Sequence, residues 1–285
     1  MEILIWLILG LGFAPLIVGM CRLKPAPLYA HHLPPLGSII LCALAFNLTF
    51  FWQELWLVIP KALTPGLSPT LYHNDHDWIG SSPISELLQG TGAVATLTSG
   101  VSALLMLHSS LLRSASWRVF TFWMAFQGLF QSLSQFAVGA MVPSNDVGRA
   151  LAYLGFSNTM KLSLLVVSVL GMWCAGTALA QHIPKAISRS AMEGTRACLA
   201  PLLITALLSA LLSIAFRVPR SAIEVVAIPL MINIIGIGWL TLGISLSSPR
   251  IEGGDPEMID VYRPIIAFAI LLLIFQVVLR PGIRL

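Results

Sequence analysis

LGSIILCALAFNLTFFWQELWLVIP, residues Leu36 to Pro60, is the stretch whose reading decides the fold. At 1.5 Å per residue this unbroken apolar run is long enough to cross the roughly 30 Å hydrocarbon core of a bilayer. Yet it carries Asn47 and Glu54, seven residues apart and so on one helical face, with Gln53 beside them and Phe50, Phe51, Trp52 and Trp56 as an aromatic wall. A charge held within a bilayer costs roughly 2.5 to 3.5 kcal/mol on insertion scales. The run therefore reads as a membrane helix whose carboxylate needs a partner.

The rest of the chain agrees. Of its 285 residues 57% are hydrophobic and 10% charged, and the mean hydropathy is +0.87, whereas a soluble domain carries about 25% charged residues. Further apolar segments run from Ile3 to Met20, Leu87 to Leu107, Val119 to Val142, Lys161 to Ala180, Leu199 to Phe216, Ala222 to Leu246 and Pro264 to Leu279. The first has no basic region before it and no small residue before Cys21, so it reads as a span rather than a signal. Continuous runs without alternation exclude barrel strands. The expected fold is all-α, a polytopic transmembrane helical bundle of about eight spans forming one domain over residues 1–285, multi-pass in a plasma (bacterial inner) membrane.

The net charge of +4 is spread over helix ends, with no basic run, so nucleic acid is excluded as a partner. No GKS/T loop or GxGxxG fingerprint is present, which excludes nucleotide use. Cys21, Cys42, Cys174 and Cys198 form no CxxC pair and read as packing residues. With both termini outside, the inner connections hold Arg22, Lys24, Arg113, Arg118, Lys185, Arg189, Arg196, Arg250 and Arg263, nine of the 16 Lys and Arg, which leans towards that orientation. In either orientation the connections after the second and fourth spans share one face, because two crossings separate them.

That shared face collects the chemistry. After the second span comes Tyr72-His73-Asn74-Asp75-His76-Asp77-Trp78, and after the fourth Asn145-Asp146-Val147-Gly148-Arg149. The third span opens with Glu86 and Gln89, then places Gly92, Thr96 and Gly100 at spacing four, a small-residue face for close helix approach. The fourth carries Gln127, Gln131 and Gln135 at spacing four, a polar ladder about 12 Å long that cannot face lipid. Together these predict an outward polar cavity lined by Asn47, Gln53, Gln89, Gln127, Gln131, Gln135, Asn145 and Arg149.

Two histidines at i and i+3 reach one cation where the backbone is helical or tightly turned. His73 and His76, completed by Asp77 or Asp146, are therefore the expected ligands of a divalent metal, with zinc favoured by nitrogen and oxygen donors. Glu54 is the expected catalytic proton acceptor, in metal-assisted hydrolysis or redox chemistry on an amphiphilic substrate. A membrane metalloprotease is the nearest analogy, but HExxH is missing, since position 74 is Asn. Two other readings stand beside it: a proton- or cation-coupled transporter using Glu54 and the glutamine ladder, and a non-catalytic subunit of a larger membrane complex. Membrane lipid is a partner in all three.

His108 and His182 fall at helix ends on the opposite face, near His31 and His32, where axial ligation of haem from within the bundle is not expected. Residues Pro184 to Ala197 place Lys185, Arg189, Glu193 and Arg196 on one side of a short interfacial helix, and Ser247 to Arg263 reads as a solvated acidic loop. Pro229 is expected to kink the seventh span near Asn233.

Overall fold

The computed structural model describes residues 8–25, 34–109, 112, 114–184, 187, 196–247 and 259–285. His31, His32, most of the expected interfacial helix and most of the acidic loop lie outside these residues. The elements are α1 (Ala14–Arg22), α2 (Leu36–Ala62), β1 (Leu67–Leu71), β2 (His76–Gly80), α3 (Ser85–Leu88), α4 (Thr91–Leu107), α5 (Ala115–Met141), α6 (Asp146–Tyr153), α7 (Asn158–Ala180), α8 (Leu199–Arg217), α9 (Ile228–Leu246), α10 (Tyr262–Leu273) and β3 (Ile283–Arg284).

Of the described residues 75% are helical. Among them, six helical segments are long and apolar enough to cross a membrane: Leu36–Ala62, Ser85–Leu107, Asn158–Ala180, Arg196–Arg217, Ile223–Leu246 and Tyr262–Leu279. This is a membrane-embedded helical bundle. The expected first span is described from a π-helical turn at Ile8–Phe13 into α1, an apolar helix shorter than the six. The expected fourth span is helical as α5, but its three glutamines leave it less apolar than the six.

Those glutamines explain where α5 lies. An amide cannot be satisfied by lipid, so the helix that carries three of them goes to the middle, packed by α2, α4, α7 and α9. Phe122, Trp123, Phe126 and Phe130 are wholly buried along it in edge-to-face pairs with centroids 5.1–5.3 Å apart. The Trp123 indole N–H donates to Ser38 Oγ at 3.1 Å, tying α5 to the start of α2. The small-residue face of α4 does what its spacing predicts. A Cβ on Gly100 would lie 2.5 Å from the Leu129 nitrogen and 2.7 Å from the Gly128 carbonyl carbon, so backbone meets backbone there.

Pro229 falls in the first turn of α9, directly after a π-helical turn at Ile223–Ala227. Ile223–Leu246 is one continuous helical segment, so the missing N–H falls where the backbone passes from the π-helical turn into α9, four residues before Asn233.

One part of the architecture is not helical. β1 and β2 form an antiparallel hairpin with Leu71 opposite His76 and Leu67 opposite Gly80, and β3 near the C-terminus adds to the free edge of β1. Leu67, Pro69 and Leu71 share one face of β1 and are buried against the bundle, while Ser68 and Thr70 between them are half-buried. Gly80 has φ +107°, and a Cβ there would run into the Gly66 carbonyl oxygen, so only glycine fits at the open end of the hairpin.

Candidate functional site

The hairpin bends back over the end of α2. β2 alternates, as strands do: the His76 and Trp78 side chains lie on one face with their rings stacked at 6.0 Å, whereas Asp77 is exposed and accepts only from the Trp78 backbone N–H. His76 thereby reaches into the bundle. Its Nδ1 lies 2.8 Å from Glu54 Oε2 and its Nε2 lies 3.2 Å from Gln89 Oε1. The two side chains of this pair are 7% and 5% exposed, so they face each other away from water.

Asp75, in the turn just before β2, brings a third ligand atom. Glu54, Asp75 and His76 each place one such atom within 4.8 Å of the others, the one group of three or more such residues among the described residues. Asp75 is also ion-paired to Arg220, from the turn between α8 and α9.

His73 and His76 therefore do not share a site. The turn sends the His73 ring, 4% exposed, against the backbone of Arg217 and Val218, with neither nitrogen in a hydrogen bond of good geometry. Burial lowers its pKa below the ordinary 6.5, with the Arg220 charge adding to the effect. Asp77 points to solvent. Asp146 stands near Glu54, His76, Lys61 and Arg149; burial raises its carboxyl pKa above the ordinary value and the Glu54 charge raises it further.

A wall of cations and an indole encloses this cluster. Lys61 is completely buried, donates to the Leu57 carbonyl at 2.9 Å and lies 4.7 Å from the Trp78 ring centroid. The Arg149 guanidinium lies 5.3 Å from the same ring and forks onto Glu86, with Nε and Nη2 each bonded to one carboxylate oxygen at 2.6 and 2.7 Å. That bond raises the Arg149 pKa. Arg149 on Trp78 and Arg220 on Asp75 place three stretches of chain together: the hairpin, α6 and the α8–α9 turn.

The remaining expected cavity residues lie deeper and brace helices against one another. Gln127 donates to Asn233 Oδ1 at 3.0 Å, Gln131 to Gln127 Oε1 at 3.2 Å and to the Phe46 carbonyl at 3.4 Å, and Gln135 to Gln53. Asn47 donates to the Ala43 carbonyl and to Ser213 Oγ. Asn145 caps α6, accepting from the Val147 N–H at 3.1 Å. The amide ladder is thus a brace joining α2, α5 and α9.

Lys61, Asp75, Glu86, Trp78, Arg217 and Arg220 belong to this face too. Arg217 is 3% exposed with its guanidinium carbon 4.1 Å from the Phe50 ring centroid. In sequence Arg217 and Arg220 look like ordinary markers of a helix leaving the bilayer, and nothing local sets them apart.

No protein-family model, curated protein or solved structure matches this chain.

Proposed function

We propose that this is a multi-pass protein of a plasma (bacterial inner) membrane, with about eight spans and its hairpin face outward. On that face Glu54, Asp75 and His76 hold a divalent cation and serve metal-assisted hydrolysis of an amphiphilic substrate. The observation that carries the reading is the buried contact of Glu54 Oε2 with His76 Nδ1 at 2.8 Å, with an Asp75 oxygen in reach of both. Two carboxylates and an imidazole suit zinc, which in catalytic sites takes three protein ligands and leaves a position open. Bound there, the cation would polarise a substrate carbonyl or phosphoryl oxygen and activate water.

The chain's own residues supply the rest. Asp146 stands beside the cluster as the carboxyl that would pass a proton to a leaving group, and burial shifts it in the direction of its neutral form. Arg149, partly exposed beside the Trp78 ring, offers positive charge to an anionic headgroup at the membrane boundary, and the buried Lys61 supports the ring from its other contact. Arg220 neutralises Asp75 until a cation takes that role.

A second reading has its own observation. His76 meets a carboxylate oxygen at one nitrogen and an amide oxygen at the other, an arrangement that suits a doubly protonated ring and hence a proton site in coupled transport. Elemental analysis separates the two. The purified protein is expected to carry about one zinc per chain, falling at least about tenfold in His76→Ala and Asp75→Ala and unchanged in His73→Ala. Metal-free wild-type protein would overturn the metal reading, and uptake driven by a pH gradient in proteoliposomes would then support the proton site.

A further inference from the structure

We propose a second metal site, for copper(II) or nickel(II), formed by His108 and His182 on the face opposite the hairpin. His108 follows the last turn of α4 and His182 lies just beyond α7, two helices that both pack on α5. Their Nε2 atoms are 3.0 Å apart and their rings meet edge to face with centroids at 4.1 Å.

The other nitrogen of His108 settles how that ring is protonated. Its Nδ1 lies 2.9 Å from the Leu104 carbonyl oxygen, a contact only an N–H can make, so in the neutral ring the lone pair belongs to Nε2 and accepts from the His182 Nε2–H, whose proton is released or moves to Nδ1 when a metal takes its place. A ring held through Nδ1 by a backbone carbonyl, with Nε2 presented outward, is the arrangement found in metal-ligating histidines.

The spacing is also one that a right-angled metal site accepts. With metal–nitrogen bonds of about 2.0–2.1 Å, two imidazoles at neighbouring corners of a square-planar or octahedral site stand about 2.9–3.0 Å apart, and in a tetrahedral site about 3.3–3.4 Å apart. The observed 3.0 Å fits the right-angled case. Copper(II) and nickel(II) prefer that geometry and accept imidazole readily, with water taking the remaining positions. Bound metal would join the ends of α4 and α7 across α5. The site is independent of the Glu54 cluster, which offers mostly oxygen donors on the other face.

The test is titration of detergent-solubilised protein, purified without a histidine tag, with copper(II) chloride followed by electron paramagnetic resonance. His76→Ala, in which the hairpin cluster is disabled, is expected to bind one equivalent with splitting from two nitrogens, and the double variants His76→Ala/His108→Ala and His76→Ala/His182→Ala to bind at least about tenfold more weakly. Thermal unfolding checks folding: copper should raise the transition of His76→Ala while leaving that of His76→Ala/His108→Ala unmoved. A two-nitrogen signal that survives in both double variants, or no binding by His76→Ala below about 100 μM copper, would reduce the pair to a plain N–H···N hydrogen bond and overturn the proposal.

Discussion

His73 shows what burial does to a single residue. Its ring is 4% exposed and burial holds its pKa below 6.5, so the folded protein keeps it neutral in a pH range where the unfolded chain takes up a proton. The folded state then binds fewer protons, and stability is present above pH 6.5 and lost as pH falls from there towards the lower folded value. In thermal scans of the detergent-solubilised protein from pH 7 to pH 5, the wild type should lose more stability than His73→Asn. Equal losses would remove His73 from the acid response. Asp146 acts in the opposite sense: its raised pKa adds stability as pH falls. The comparison between variants, and not the absolute curve, is therefore the informative quantity.

Between elements, one close joint is α4 on α5, where Gly100 lies on the backbone of Gly128 and Leu129. Side chains can turn away from an added methyl group, but backbone in two packed helices cannot. Gly100→Ala should force the helices apart and destabilise the bundle by about 2 kcal/mol, in the range for overpacking, measured as a lowered thermal transition. Gly10, whose added Cβ would meet nothing within 4 Å, provides the matched control with no loss. This joint was legible in the sequence because Gly92, Thr96 and Gly100 repeat every four residues. The hairpin was not. Its five-residue strands are too short for a clear alternation, Pro69 sits inside β1, and the partner that completes the sheet, β3, is more than 200 residues away.

At the scale of the whole molecule, two faces carry different chemistry. α2, α5, α8 and α10 run towards the hairpin, and α4, α7 and α9 run away from it to the face where His108 meets His182. In a background without native cysteines, single cysteines at Asp77 and Gln181, both exposed, should react with an impermeant thiol reagent from opposite sides of a sealed membrane, with Asp77→Cys labelled from outside. Labelling of both from one side would break the topology, and labelling of Asp77→Cys from inside only would invert it. Counting crossings was enough to place the His73–Trp78 stretch and the Asn145–Arg149 stretch on one face. Arg149 against Trp78 agrees with that count.

The sequence by itself determined the solvent of this fold, since long apolar runs with 10% charged residues leave the bilayer as the medium for most side chains. It also determined that Glu54 and the glutamines must turn inward, because lipid offers no hydrogen bonds. Only the tertiary structure decided which groups answer them. A spacing of i and i+3 brings two histidines together on a helix, but here a turn and a strand separate the rings: His76 goes to Glu54, Asp77 to water, and His73 to the end of α8. Arg220 and Lys61 reach the same cluster from distant helix ends. Such pairings depend on how helices pack across the whole chain, and no local spacing encodes them.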